Sequence, residues 1–233
     1  MKYKAILFDL DGTLLPMDLD TFKRQYFSLL VKSISSHGYE PTVLMNAILK
    51  GVGAMLGNSG LRTNEQVFFD VMESILGKGV YKDIKYFEEF YENEFDLVRA
   101  SVGYDAEAGR VVKRLKEMGY RLILATNPVF PDVATKKRIE WAGLSPNDFE
   151  YITTYENSKF SKPNVGYYKE ILDKTGLSAA ECLMVGNDTA DDMSAGALGI
   201  DTFLVTDYLI NEKNIGISIY KNGKLSDIFD VLT

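Results

Sequence analysis

The chain has 233 residues, a length that allows one large domain or two small ones. Of these residues 46% are hydrophobic and 25% charged, which is ordinary for a folded globular protein. Its 26 basic and 33 acidic residues give a net charge of −7, which does not favour a nucleic-acid backbone or an anionic membrane as partner. A single cysteine, Cys182, and a single histidine, His37, exclude an intramolecular disulfide framework and a metal centre rich in these residues.

The first apolar run of the chain is short. Residues 3–8 carry it, and acidic turn residues follow at once, which predicts a buried strand and not a signal peptide. No apolar stretch approaches the roughly 18 residues of a membrane-spanning helix. From these absences we expect a cytoplasmic protein.

A helical section follows between about residues 19 and 98. Apolar residues recur there at helical spacing in three stretches: Leu19 to Ile34, Val67 to Ile75 and Phe87 to Val98. Thr63 and Gln66 are spaced as a capping box, which predicts the start of the middle helix. The glycines between Gly51 and Gly60 predict a broken helix or a loop.

From about residue 106 onward, short apolar runs alternate with helical segments. The runs lie at 122–125, 151–152, 182–185 and 202–205, and the helical segments at about 132–142, 163–175 and 190–198. This alternation is typical of βαβ units in a parallel sheet. We therefore predict an α/β fold, with a Rossmann-like parallel sheet core in residues 1–15 and 100–233. An all-helical cap in residues 16–99 is inserted into it.

The residues that follow the predicted strands are candidates for a functional site, because ligands bind at this edge of such a sheet. They are Asp9, Leu10, Asp11, Gly12 and Thr13 after the first strand, Thr126 and Asn127 after the second, Lys162 before a helix, and Asn187, Asp188, Asp191 and Asp192 after the run at 182–185.

The acidic residues among them suggest a metal site. Asp9 and Asp11 are two residues apart, so in an extended segment their side chains share a face. Repulsion between them and Asp188 would be relieved by a divalent cation, and a set of oxygen ligands suits Mg²⁺. Mg²⁺ held by few protein groups commonly takes phosphate oxygens as its other ligands.

The remaining polar residues suit a phosphoryl group. Thr126, Asn127 and Lys162 offer donors and a positive charge for phosphate oxygens. One carboxylate of the first motif can attack phosphorus and form an aspartyl-phosphate. The other can protonate the leaving alcohol and later deprotonate water, and Gly12 permits the tight turn that this arrangement needs.

The order of these motifs resembles the haloacid dehalogenase (HAD) superfamily, in particular its C1-capped phosphatase-like subgroup. The resemblance spans the whole chain, and the helical insert matches the C1 cap. It implies that Asp9 is the nucleophile and Asp11 the general acid/base, with the backbone carbonyl of Asp11 also on the metal. Members that dehalogenate carbon compounds usually lack this second acid, so Asp11 favours phosphate chemistry.

The resemblance also implies roles for the later motifs. Thr126 would bind the phosphoryl group beside Asn127, and Lys162 would balance charge around the aspartyl-phosphate. Asp188 would complete the metal site, and Asp192 would support it.

The fourth motif departs from the family pattern. It usually reads Gly-Asp, whereas Asn187 intervenes here between Gly186 and Asp188. We align Asp188 with the metal ligand because its spacing to Asp192 then fits. Asp191 is the competing candidate, and both are kept open.

The function predicted on this basis is hydrolysis of a small soluble phosphomonoester by a Mg²⁺-dependent phosphatase. A phosphomutase of the β-phosphoglucomutase type is an alternative, and a non-catalytic protein that binds a phosphoryl compound is another. We expect no nucleic-acid or membrane partner, and the oligomeric state is left open. Candidate contacts to the leaving group lie in the first linker and the cap: Pro16, Met17, Asp18, Lys23, Arg24 and Arg62.

Overall fold

A computed structural model describes residues 2–232, and its centre is a six-stranded parallel sheet. The strands are β1 (Ala5–Phe8), β2 (Arg121–Leu124), β3 (Tyr151–Ile152), β4 (Cys182–Gly186), β5 (Asp201–Val205) and β6 (Lys221–Gly223). Their order is β3-β2-β1-β4-β5-β6, and every neighbouring pair is parallel. The predicted sheet is confirmed. Strand β6 was not predicted from the sequence, because its residues are polar and mostly exposed.

Side chains of each central strand alternate between two apolar layers. In β1, Ile6 and Phe8 join one layer, while Ala5 and Leu7 join the other. The first layer includes α5 (Ala106–Glu117) and α6 (Asp132–Trp141), and the second includes α7 (Val165–Thr175). Helices therefore cover both faces of the sheet, which is why β1 is buried throughout.

Four helices lie between β1 and α5 and form the predicted insert. They are α1 (Leu19–Ser35), α2 (Pro41–Leu56), α3 (Asn64–Leu76) and α4 (Ile84–Asn93). The predicted capping box of Thr63 and Gln66 is present at the start of α3. Short 3-10 helices complete the chain: Val80–Lys82, Glu94–Ser101, Pro146–Asp148, Ala179–Glu181, Met193–Leu198, Ile217–Ile219 and Leu225–Val231.

The predicted broken helix or loop between Gly51 and Gly60 was wrong for residues 51–56, because α2 continues without interruption to Leu56, and it is confirmed for residues 57–60, which lie outside any helix. Gly51 is buried, and a Cβ atom there would lie 2.6 Å from the ring of Phe68. The missing side chain therefore allows α2 and α3 to pack closely. Only Gly57, at the end of α2, marks a true helix end.

The two segments that join the insert to the core run side by side. Met17 and Val102 form an antiparallel bridge, and the Gly103 amide donates to the Pro16 carbonyl at 2.8 Å. We propose that the domain boundaries lie here, close to the predicted limits of residues 16 and 99. Among residues 2–232, no helix is both long and apolar enough to cross a membrane.

Candidate active site

The first motif forms a tight turn at the carboxyl end of β1. The amide of Asp9 still donates to Val185 of β4 at 2.9 Å, so the carboxylate projects from the middle of the sheet. Gly12 then adopts a φ of 85°, a left-handed conformation that a side chain would disfavour. The hydroxyl of Thr13 lies 3.2 Å from Oδ2 of Asp9, and the Asp9 side chain is almost fully buried.

Asn187 packs directly against this turn. A Cβ atom on Gly12 would lie 2.3 Å from Nδ2 of Asn187. Oδ1 of Asn187 is 3.1 Å from the Thr13 hydroxyl, and Nδ2 donates to the Tyr208 carbonyl at 2.6 Å. The residue that departs from the family pattern thus joins the first motif to the loop after β5.

Lys162 forms ion pairs with Asp9 and Asp192. Its ammonium lies 2.9 Å from Oδ1 of Asp9 and 2.6 Å from Oδ1 of Asp192, and it is only 2% exposed. Burial alone would lower the pKa of Lys162. The carboxylates of Asp192 and Asp9 outweigh burial and hold this pKa well above its usual value, so the ammonium is charged.

Thr126 and Asn127 follow β2, as predicted. Thr126 is buried, and its backbone carbonyl accepts hydrogen bonds from Tyr167 at 2.8 Å and Thr153 at 2.7 Å. The Asn127 amide donates to Oδ2 of Asp191 at 3.1 Å. These bonds fix the backbone at Thr126 and connect the second motif to the fourth.

In the fourth motif, Asp188 and Asp192 have different surroundings. Oδ1 of Asp188 accepts from the amides of Ala190 and Asp191 at 2.7 and 3.0 Å, and its side chain is half-buried. Asp192 is buried, and its Oδ2 accepts from the Asp188 amide at 2.9 Å. Burial raises the pKa of Asp192, although Lys162 opposes this. Asp192 therefore braces the backbone of Asp188 and holds Lys162.

Asp11 has a partner that was not predicted from the sequence. Arg138 on α6 donates through Nη1 to Oδ2 of Asp11, and the guanidinium stacks 4.2 Å from the ring centre of Phe130. Arg138 is fully buried. Burial raises the pKa of Asp11; the positive charge of Arg138 works against this, and the charge of Asp9 adds to it.

A signal for Arg138 was present in the sequence. It follows Ala134 by four residues and precedes Ile139, so it falls on the buried side of α6. A cation at such a position is rarely left without an acidic partner. Charged residues on a helix are more often solvated, and for that reason Arg138 was not predicted as a site residue.

In the structure, Lys162 thus contacts both Asp9 and Asp192, and Asn127 contacts Asp191. Of the candidate contacts in the cap, Arg62 instead forms an exposed ion pair with Asp70.

The residues predicted to bind a metal do not form a compact cluster of side chains. Within residues 2–232, no three His, Cys, Asp or Glu side chains lie close enough together to hold a metal ion. Two buried oxygens of the predicted site residues, Oδ1 of Asp11 and Oδ1 of Asn127, have no hydrogen-bond partner among residues 2–232. Unpaired buried acceptors suit a ligand that brings positive charge or donors. The carboxylates of Asp9 and Asp188 and the backbone carbonyl of Asp11 are the oxygen donors that Mg²⁺ prefers, and Mg²⁺ often takes only one or two protein carboxylates beside water and phosphate.

The chain is similar to known proteins over most of its length. The sequence model for the haloacid dehalogenase-like hydrolases matches residues 3–199. The chain belongs to the haloacid dehalogenase-like hydrolase family. This HAD chain is 26% identical to the glyceraldehyde 3-phosphate phosphatase of Methanocaldococcus jannaschii, over 95% of its own length and 98% of the relative. It is also 26% identical to the phosphoglycolate phosphatase of Aliivibrio fischeri, over 87% of this chain and 84% of the relative.

Solved structures show the same HAD fold. The HAD-hydrolase YfnB from Bacillus subtilis, solved bound to magnesium, matches with a TM-score of 0.58 at 20% identity and covers both chains fully. A HAD phosphatase from Thermococcus onnurineus matches with a TM-score of 0.60 at 16% identity, covering 98% of this chain and 97% of that one. The insert after β1 is a C1-type cap, and the chain is an enzyme of the HAD hydrolase type.

Proposed function

We propose that this protein is a Mg²⁺-dependent phosphatase that hydrolyses a small phosphomonoester through an aspartyl-phosphate on Asp9. The observation that carries the proposal is the contact between Asp9 and the buried ammonium of Lys162 at 2.9 Å. A surface carboxylate would have no such partner. Here a fixed positive charge lies beside the oxygen that would bear the phosphoryl group, where excluded water strengthens electrostatic stabilisation.

In the first step, an oxygen of Asp9 attacks phosphorus while the bond to the leaving oxygen breaks. Asp11 donates a proton to that oxygen, so the alcohol leaves neutral. In the second step, Asp11 takes a proton from water, whose oxygen attacks phosphorus and releases Asp9 and inorganic phosphate. Oδ1 of Asp11 suits both proton transfers, because Arg138 occupies only Oδ2.

The phosphoryl oxygens would be bound by the donors around Asp9. We assign this role to the ammonium of Lys162, to Thr126 and Asn127, and to the backbone at Leu10 and Asp11. Gly12 and Thr13 belong to the turn that positions the backbone at Leu10 and Asp11, and Asn187 packs against this turn.

Mg²⁺ would be held by Asp9, the backbone carbonyl of Asp11, and Asp188. When bound, it supplies positive charge to the phosphoryl oxygens. Asp188 is preferred to Asp191 because Oδ2 of the buried Asp192 accepts from the Asp188 amide, and because the spacing of Asp188 to Asp192 fits the family pattern. Among the described residues, hydrogen bonds engage only Oδ1 of Asp188, which leaves Oδ2 for a metal.

The small-substrate proposal draws on the relatives. Their names give glyceraldehyde 3-phosphate and phosphoglycolate as substrates, both small phosphomonoesters. At 26% identity they support the class of substrate and not its identity.

The test is release of inorganic phosphate from a panel of phosphomonoesters, with Mg²⁺ and with a chelator. The panel contains p-nitrophenyl phosphate, sugar phosphates, phosphoglycolate, glyceraldehyde 3-phosphate and nucleotides. We expect Mg²⁺-dependent release that Asp9→Asn abolishes. Asp173→Asn, on the exposed side of α7, is the matched control and should retain full activity. Transfer of phosphate between sugar positions without release would indicate a mutase, and binding without turnover a binding protein.

A further inference from the structure

The cap contains one fully buried asparagine that contacts the core. Asn64 is the first residue of α3 and has no exposed surface. Its Nδ2 lies 3.0 Å from the Pro128 carbonyl and 3.1 Å from the Ser161 hydroxyl. Its Oδ1 accepts from Asn58 of the cap at 2.8 Å. One carboxamide therefore joins the cap to two separate segments of the core.

Both of these segments lead into the proposed phosphate site. Pro128 comes two residues after Thr126, and Ser161 comes immediately before Lys162. The hydroxyl of Ser161 also donates to the Met55 carbonyl of the cap at 3.0 Å. A displacement of Asn64 would therefore remove one shared contact from both segments at the same time, and only Ser161 would keep a side-chain bond to the cap, through Met55.

Backbone hydrogen bonds strengthen the same contact. The Asn64 amide donates to the Ser158 carbonyl, and the Glu65 amide to the Tyr155 carbonyl, each at 2.9 Å. All these groups are paired only while the cap lies on the core. A buried polar group that loses its partner is costly, so the contacts should form and break together.

We propose that Asn64 is a positioning residue. With the cap closed, its carboxamide holds the segment after Thr126 and the segment before Lys162 at a fixed separation. Closure of the cap thereby completes the phosphate-binding site. This inference rests on the proposed function, in which Thr126 and Lys162 bind the phosphoryl group.

The test compares Asn64→Ala with Asn93→Ala. Asn93 is a cap residue whose exposed amide donates only to the Glu89 carbonyl of its own helix, so its variant is the matched control. We expect Asn64→Ala to lower kcat/KM for the best substrate about tenfold to a hundredfold, as small misplacements of a site do. The inhibition constant of inorganic phosphate, measured with Mg²⁺, should rise by a similar factor. Asn93→Ala should leave both values unchanged.

A merely structural role would give a different result. If Asn64→Ala lowers the melting temperature but leaves the phosphate inhibition constant unchanged, the inference is wrong. Ser161→Ala provides a second variant if Asn64→Ala does not fold. It should weaken phosphate binding in the same direction, and an unchanged constant for a folded Ser161→Ala would also overturn the inference.

The two proposals can fail separately. If the wild-type protein releases no phosphate from any ester, the proposed function fails. The affinity for inorganic phosphate, measured by calorimetry, then decides the role of Asn64 alone: weaker binding by Asn64→Ala supports it, and equal binding refutes it. If the wild-type protein does not bind phosphate either, both proposals are refuted.

Discussion

Arg138 holds one carboxylate oxygen of Asp11 and leaves the other, Oδ1, without a partner among the described residues. The guanidinium cannot turn away, because it stacks on Phe130 and is fully buried. The pair therefore sets the orientation of the carboxyl group that we assign as general acid/base.

Replacement of Arg138 should impair this residue. We expect Arg138→Met to lower kcat about tenfold or more, since a well-placed acid or base contributes about 10² to 10⁴ in rate. It should also lower the free energy of unfolding by about 1–3 kcal/mol, because Asp11 loses its partner. Steady-state kinetics and urea unfolding measure the two effects. Lys136→Met, on the exposed side of the same helix, is the control, and equal activity of both variants would contradict the assignment.

Removal of Asp11 itself should depend on the leaving group. An alkoxide needs a proton more than a p-nitrophenolate does, so Asp11→Asn should lose more activity on alkyl phosphates than on p-nitrophenyl phosphate. The measurement is the ratio of kcat/KM values for the two substrate types in wild type and variant. A ratio unchanged by the substitution would show that Asp11 does not protonate the leaving group.

Gly12 should be sensitive to any side chain. Gly12 and Gly38 both have positive φ angles, 85° and 102°, so alanine costs backbone strain of about 1 kcal/mol at either position. Only at Gly12 would the new Cβ atom meet a neighbour, at 2.3 Å from Asn187. We expect Gly12→Ala to lose both stability and activity, and Gly38→Ala to lose a little stability and no activity. Similar activity in the two variants would show that a clash with Asn187 does not impair the active site.

Two glycines of α2 offer a second matched pair. Gly53 is exposed, and a Cβ atom there would have no heavy atom within 4 Å, so Gly53→Ala should stabilise the protein by about 0.5–1 kcal/mol. Gly51→Ala should destabilise it, because its Cβ would lie 2.6 Å from Phe68. Thermal unfolding of both variants measures the difference. A stabilising Gly51→Ala would mean that α2 and α3 can move apart freely.

Cys182 should be almost unreactive in the folded protein. Burial raises the pKa of its thiol to about 11, and the charge of Glu181 adds to this. At pH 8 the thiolate fraction is then about one in a thousand, against about one in four for a free cysteine. Alkylation by iodoacetamide, followed by mass spectrometry, should be at least about a hundredfold slower than in urea. The native rate should rise with pH through pH 10. Equal rates in native and unfolded protein at pH 8 would contradict this.

Much of the fold was predictable because it depends on local pattern. The apolar runs that end in Asp9, Thr126 and Gly186 locate three central strands, and parallel strands end at one edge of a sheet. The order of the motifs then indicated the family. Neither inference needed the conformation of a particular side chain.

The partners of Arg138 and Asn64 could not be found in this way. Arg138 and Asn64 are residue types that are usually exposed, and each is fully buried here because its partners lie far away in sequence. Arg138 is 127 residues from Asp11, and Asn64 is 97 residues from Ser161. The prediction at Gly51 failed for a related reason, because this glycine makes room for Phe68 of the neighbouring helix and does not interrupt its own.

The paired linkers at Met17 and Val102 allow the insert between them to vary in length. The insert leaves and re-enters the core at adjacent points, so a much shorter or longer segment could join the same two points. Closing such a loop costs only slightly more free energy as it lengthens. The sequence and length of the insert can therefore change without disturbing the strands that carry the reacting groups. Different inserts can in this way adapt one hydrolytic centre to different leaving groups.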